Sequence, residues 1–278
     1  MIEVFNAIAN IAIDIEKEVF TNYDRFTSNG KSELEIENDV YNYCTTLIEK
    51  ECESIKSVKG VISKDKKQLC TINSDGKYLI SYVAIDSVEL LDTNFSLGTI
   101  FGIYQNSFEA DNLKASIYIT YGPTFQLVFA SKDEGVKYFS YEDNQFVQKD
   151  SLNLSNKGKI NSTAGGFNIY DEKNKTIAQS FFDDGYRLRF SNSLALDTHQ
   201  ILFKKGGIYM SPKTTQNPTG LLEVIFEAFP IAFIIELCGG GAIDGQNRIL
   251  DIKTPELHQT TPIYYGSNDE IAKVKSYF

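Results

Sequence analysis

The stretch from Lys77 to Tyr104, KYLISYVAIDSVELLDTNFSLGTIFGIY, limits the possible folds more than any other part of the chain. Tyr78 to Ile85 is apolar and β-branched and ends on an acid, Asp86, and the stretch closes on Gly98-Thr99-Ile100-Phe101-Gly102-Ile103-Tyr104. Two buried strands joined by a polar, carboxylate-bearing loop satisfy this pattern. A carboxylate at the C-terminal edge of a buried strand is a common place to hold a metal ion or polarise a ligand, and also a common way to cap a turn.

At 278 residues the chain can bury one large core or two joined halves. Its formal net charge of −10, without a long basic run, disfavours nucleic acid and anionic membrane surfaces as partners. A phosphorylated ligand therefore needs a local basic pocket or a metal ion. Cys44, Cys52, Cys70 and Cys238 show no zinc-type pairing, and Cys44 and Cys52 read as small core residues of a helix. His199 and His258 lack metal-ligand spacing and read as structural. No serine sits in a G-x-S-x-G frame, and Gly239-Gly240-Gly241 follows a helical pattern rather than opening one, so it is not a phosphate loop. Glu3 and Asp14 stand where a signal peptide needs a basic patch and an apolar run. The longest apolar stretch, Phe226 to Cys238, contains Pro230 and Glu236 and is too short to span a bilayer. The expectation is a soluble, reduced, cytoplasmic protein without a membrane partner.

Helical periodicity marks Ile2 to Val19 and Glu33 to Ile55, separated by an Asn29-Gly30 turn signal. Strands are expected at Val58 to Ser63, Lys77 to Ile85, Leu113 to Tyr121, Phe125 to Ala130, Val136 to Tyr141 and Gln145 to Gln148. The polar, Lys-rich Ser155 to Ser162 divides an N-terminal half, residues 1–160, from a C-terminal half, residues 161–278. The second half carries a helical candidate around Asp183 to His199 and a strand at Gly207 to Met210. A longer helical pattern from Leu221 to Cys238 is kinked or broken at Pro230, and strands are expected at Arg248 to Ile252 and Thr261 to Tyr265.

Three separated landmarks resemble signature strings of the class I fructose-1,6-bisphosphatases and their lithium-sensitive phosphatase relatives. Ser96 to Tyr104 (SLGTIFGIY) resembles S-V-G-T-I-F-G-I-Y, and Glu227 to Gly240 (EAFPIAFIIELCGG) resembles E-x-N-P-M-A-Y-V-M-E-x-A-G-G. Asp251 to Ile263 (DIKTPELHQTTPI) resembles L-D-x-x-P-x-x-x-H-Q-R-x-P. Lys157-Gly158-Lys159-Ile160 is similar to the K-G-K-I-Y-S that opens the sugar-binding half. The resemblance implies an α/β fold of the α+β layered kind, α-β-α-β-α with two joined halves. It further implies Mg²⁺-dependent hydrolysis of the 1-phosphate of fructose 1,6-bisphosphate in gluconeogenesis, a sugar phosphate as small-molecule partner, and a homotetramer.

Carried over residue by residue, the resemblance makes Asp86 and Glu227 metal ligands and Asp65, with Glu35, the pair that orients the nucleophilic water. It assigns substrate contacts to Ser87, Arg189, Ser211 and Phe167, with Arg189 contributed to a neighbouring subunit. Other positions depart from the pattern. The first aspartate of D-P-L-D falls on Val83, the phosphate-cradling G-S becomes Ser87-Val88, and a ligating glutamate becomes Lys64. The asparagine of S-x-N-E-G falls on Ala164, and a lysine and an arginine fall on Leu221 and Glu223. At the AMP site Lys77-Tyr78 is kept, but G-R-N becomes Ala110-Asp111-Asn112, which places an acid against a nucleotide phosphate. Two further readings follow from these departures. One is a catalytically inactive binding or regulatory subunit; the other is a changed ligand reached by Glu89 and Asp92 of the altered loop.

Overall fold

The structure is a computed structural model that describes residues 1–27, 30–66, 68–254 and 256–278; Asn29 of the expected turn lies outside the described residues. Helix α1 (Ile2–Ile15) buries Val4, Ile8, Ile11 and Ile15, then widens into a π-helical turn over Glu16–Thr21. A short α2 (Asp24–Thr27) leads to α3 (Glu33–Glu53), which buries Val40, Cys44, Ile48 and Cys52 at helical spacing. Seven strands with alternating or continuous apolar faces follow: β1 (Val58–Ser63), β2 (Cys70–Thr71), β3 (Tyr78–Asp86), β4 (Leu97–Gln105), β5 (Leu113–Tyr121), β6 (Gln126–Ser131) and β7 (Gly135–Glu142). With β8 (Gln145–Ser151) they form an eight-stranded sheet in the order β2-β1-β3-β4-β5-β6-β7-β8, antiparallel except for the β1–β3 pair.

The C-terminal half contains β9 (Ile160–Thr163), α4 (Glu172–Asp183), β10 (Arg187–Leu188), α5 (Leu194–Phe203), β11 (Gly207–Ser211), β12 (Leu222–Glu223), α6 (Phe229–Leu237), β13 (Gly241–Ile243), β14 (Thr260–Thr261), β15 (Ile263–Gly266) and α7 (Asn268–Lys275). Five of these strands make a second sheet in the order β10-β9-β11-β15-β13, with β10, β9 and β11 mutually parallel. Helices α1 and α3 share one core with the first sheet, α5 and α6 lie between the two sheets, and α4 and α7 cover the outer face of the second. The result is the layered α-β-α-β-α architecture.

Two glycines of the β4 string explain why the layers close. A Cβ on Gly98 would lie 2.4 Å from Ala195 Cβ of α5, and one on Gly102 would lie 3.1 Å from Pro230 Cγ of α6. At Gly98 only a residue without a side chain lets α5 approach this closely, while at Gly102 a Cβ would crowd Tyr104 and Ser81 of the sheet, at 2.7 and 2.8 Å, before it met α6.

The C-terminal half corrects several expectations. The candidate helix at Asp183 to His199 is the end of α4, a strand and loop, and the start of α5, because Asp171 and Ser193 each cap a separate helix. Leu221 to Cys238 is a short strand, a π-helical turn over Val224–Ala228 and α6. Pro230 lies in the first turn of α6 directly after the π-helical turn, and the Ile225 carbonyl that its missing N–H leaves open is taken up by side chains of the first sheet. Arg248 to Ile252 is a 3₁₀ turn rather than a strand.

Candidate active site

Strand β3 is buried throughout and delivers Asp86 at its C-terminal edge, after a register shift against β4 between Val83 and Asp86. The next residue, Ser87, is left-handed at φ 65°, which turns the chain sharply out of the sheet. Asp86 Oδ2 accepts 2.7 Å hydrogen bonds from the Ser193 hydroxyl and from the Ala195 N–H, so this carboxylate joins Ser193 in capping α5. Burial pushes the Asp86 carboxyl up to about 6, against the lowering pull of these two donors.

Glu227 comes from the π-helical turn before α6. That turn leaves the Ile225 carbonyl free, and it accepts hydrogen bonds from Ser81 Oγ (2.7 Å) and Tyr104 OH (2.8 Å) of the first sheet. Glu227 Oε2 accepts the Glu223 N–H at 2.8 Å, and Oε1 accepts from Lys64 Nζ at 2.7 Å. Because Tyr104 still serves the Ile225 carbonyl, Ser81→Ala is expected to lower the unfolding free energy by only about 1 kcal/mol in denaturant titration. A loss several times larger would mean that the turn itself depends on Ser81.

Asp65, Asp86, Ser87, Glu89, Glu227 and Lys64 line one cleft of about 270 Å³ between the two halves. Asp65 is exposed at its mouth, and its carboxyl is raised by partial burial although Lys64 opposes the shift. The Ser87 hydroxyl donates to the Asn192 carbonyl at 2.6 Å, and Asn192 Nδ2 donates to Glu89 Oε1 at 2.6 Å. This latch joins the loop after β3 to the segment before α5. The other candidate residues lie outside the cleft lining. Glu35 accepts from the Ser32 N–H and hydroxyl in a capping box at the start of α3. Arg189 is exposed beside Lys159, Arg187 and Lys204, Ser211 is buried at the end of β11, and Phe167 lies exposed against Tyr170.

Sequence reading missed Tyr41, Tyr209 and Asn192 as cleft residues and the pairing of His258 Nδ1 with Glu223 Oε2 at 2.6 Å beside it. None of these carried a local signal; of the residues around Asp86, Ser193 did, as a capping residue directly before an apolar run, though nothing local linked it to Asp86. His199 is half-buried against Tyr118, and loss of solvent around the ring lowers its imidazole to about 4.

A layered α-β-α-β-α molecule with a carboxylate-rich cleft between its two sheets is the class defined by these features, and comparison with known proteins specifies it. The N-terminal domain model of fructose-1-6-bisphosphatase matches residues 26–149 and the C-terminal domain model matches residues 154–278. A class 1 fructose-1,6-bisphosphatase of Campylobacter hominis is 39% identical over 99% of this chain and 98% of its own length. One from Campylobacter concisus is 35% identical over 99% of this chain and 97% of its own length. The crystal structure of Leishmania major fructose-1,6-bisphosphatase in holo form superimposes with a TM-score of 0.90, at 24% identity, over 99% of this chain and 92% of that one. The chain belongs to the fructose-1,6-bisphosphatase family.

The family implies a divalent cation, and the donor set can be tested against one. Asp86 Oδ1 makes no hydrogen bond among the described residues and the Asp65 carboxylate meets only its own backbone N–H, whereas both oxygens of Glu227 are occupied. Among the described residues no three His, Cys, Asp or Glu side chains converge on one point. Asp65 and Asp86 share the cleft lining without forming a protein cage, a donor set that suits a Mg²⁺ keeping several waters and arriving with a substrate phosphate, which is how this ion is usually held.

Proposed function

We propose that the protein is a phosphoric monoester hydrolase of fructose-1,6-bisphosphatase type, acting on the 1-phosphate of fructose 1,6-bisphosphate or a closely related sugar bisphosphate in cytoplasmic carbohydrate metabolism. The observation that carries this reading is the single cleft shared by Asp65, Asp86, Lys64 and Glu227, in a chain of this family. A substrate-borne Mg²⁺ would be held by Asp65 and the free oxygen of Asp86, and would polarise the phosphoryl group. Lys64 directs its remaining ammonium N–H groups toward the phosphoryl oxygens. Asp65 accepts a hydrogen bond from the attacking water and aligns it. Glu227 fixes Lys64, and the Ser87–Asn192–Glu89 latch sets the width of the cleft. Arg189, exposed on its own chain, serves a neighbouring subunit's site in a homo-oligomer.

A second reading is favoured by a specific observation. Lys64 Nζ occupies one oxygen of Glu227 and the Asn192 carbonyl occupies the Ser87 hydroxyl, so two groups suited to an ion or a phosphate are already engaged. On this reading the protein binds sugar phosphate as a regulatory or binding subunit without turnover. Phosphate release from fructose 1,6-bisphosphate, measured with Mg²⁺ or Mn²⁺ and again with chelator, decides between the two. Cation-dependent release abolished by Asp86→Asn is the expected result. Saturable fructose 1,6-bisphosphate binding without release supports the second reading, and neither binding nor release overturns both.

A further inference from the structure

Three strands of the second sheet, β9, β10 and β11, run parallel, and the candidate active cleft takes Ala164, Phe190 and Tyr209 from their C-terminal side. At their N-terminal ends lies a separate open cavity of about 720 Å³. Lys157 and Lys159 precede β9, Arg187 opens β10, and Lys204 and Lys205 precede β11; all five line this cavity. None of their side chains makes an ion pair or hydrogen bond among the described residues. The one acid in the lining, Asp184, is already paired with Lys273 Nζ at 2.7 Å. Five cations against one acid, which acts on Lys157 but is already bound to Lys273, set up a local field opposite to that of a chain whose net charge is −10.

The scaffold beneath these cations is tied together by hydrogen bonds. Buried Glu270 accepts the Gly158 N–H at 2.6 Å and the Tyr186 hydroxyl at 2.8 Å, which ties together the segments carrying Lys157, Lys159 and Arg187. The Arg187 N–H donates to the Lys159 carbonyl at 2.8 Å, and the Ser155 N–H donates to the Lys205 carbonyl at 3.0 Å. Gly158 sits against Gly206 so closely that a Cβ there would fall 1.9 Å from the Gly206 carbonyl carbon. Lys205 is held at φ 60°, a left-handed conformation unfavourable for a long side chain. Cations after the last turn of α5 complement its dipole, which accounts for Lys204 and Lys205 but not for the other three.

We propose that this cavity is a second anion site, taking a compact ligand with two phosphoryl groups. A planar guanidinium and four ammonium groups around one cavity suit paired phosphoryl groups rather than a single charge. The site is independent of turnover in the cleft.

Inorganic pyrophosphate, without divalent cation, is the probe, titrated calorimetrically at low ionic strength. Saturable binding is expected, weakening as salt rises and stronger than that of orthophosphate. Lys159→Gln/Lys204→Gln should weaken it by about tenfold or more, and Lys204→Gln alone by less, with unchanged circular dichroism. Lys64→Met, in the cleft, should leave pyrophosphate affinity unaltered. Absence of saturable binding overturns the proposal, as does weakening by Lys64→Met but not by the cavity substitutions. Sedimentation analysis adds a third check: if Lys159→Gln/Lys204→Gln dissociates an oligomer instead of weakening pyrophosphate, the cavity is a subunit contact and the proposal fails.

Discussion

Lys64→Met is expected to lower the unfolding free energy by about 2–3 kcal/mol, because the partner it leaves behind cannot reach water. Glu227 is 2% exposed, and its Oε1 has Lys64 as its hydrogen-bond donor at 2.7 Å. Removing one member of a fully buried pair costs roughly 3–5 kcal/mol; the Lys64 side chain is 33% exposed, so solvent screening reduces the figure here. Burial pulls the ammonium pKa down, but the charge and hydrogen bond of Glu227, aided by Asp86 and Glu223, outweigh it and leave it above the ordinary 10.5. The contribution is therefore intact at neutral pH and is lost only as pH rises past the usual lysine range. Urea titration at pH 7 measures the single variant, and Lys64→Met/Glu227→Gln should recover most of the loss, since a neutral amide needs no counter-ion. An unchanged midpoint for Lys64→Met would show that the pair does not form in solution, and the account of Glu227 as an occupied ligand would fail with it.

How far the sequence disclosed the site depends on the range of the interactions. Strand β3 and Asp86 were legible because a run of buried residues ending on an acid is a local pattern. The two donors that occupy Asp86 were not, since Ser193 and Ala195 are 107 and 109 residues away. Glu35 shows the converse. Ser32 and Glu35 form the local pattern of a capping box, and reading Glu35 through the family's catalytic pair passed over that simpler role. The glycines of Gly98 to Gly102 were visible as part of a landmark, but their reason lies in what packs on them, Ala195 on Gly98 and Tyr104, Ser81 and Pro230 around Gly102. The elements misplaced in the C-terminal half, around Asp183 to His199 and Arg248 to Ile252, are short pieces separated by caps and turns. Periodicity over a long window merges such pieces.

Asp197→Asn is expected to change the dependence of stability on pH more than any other single substitution considered. Asp197 is fully buried in α5; Oδ1 accepts from the Ser191 N–H at 2.9 Å and its hydroxyl at 2.8 Å, and the Ser162 hydroxyl also acts on the carboxylate. Burial pushes the carboxyl up to about 7 from an ordinary 3.8, hydrogen bonding from Ser191 and Ser162 opposes this, and the charge of Asp86 adds to it. A folded-state pKa above the unfolded one means that the native chain keeps a proton the unfolded chain has already lost. Stability is then greatest near pH 4 and falls as pH rises toward 7. The full difference corresponds to at most about 4 kcal/mol at 1.36 kcal/mol per pKa unit, and rearrangement around the charged form should leave roughly 1–3 kcal/mol. An amide has no proton to lose in this range, so the variant should match or fall slightly below the wild type at pH 4.5 and exceed it by that amount at pH 8. The crossover separates this effect from a simple gain in packing, which would be the same at every pH. Asp86, raised to about 6, remains in the variant and should keep a smaller decline between pH 4 and 6. Urea midpoints taken at half-unit steps from pH 4.5 to 8 test the expectation; parallel curves for the two proteins would mean that Asp197 titrates normally and that its burial is relieved in solution.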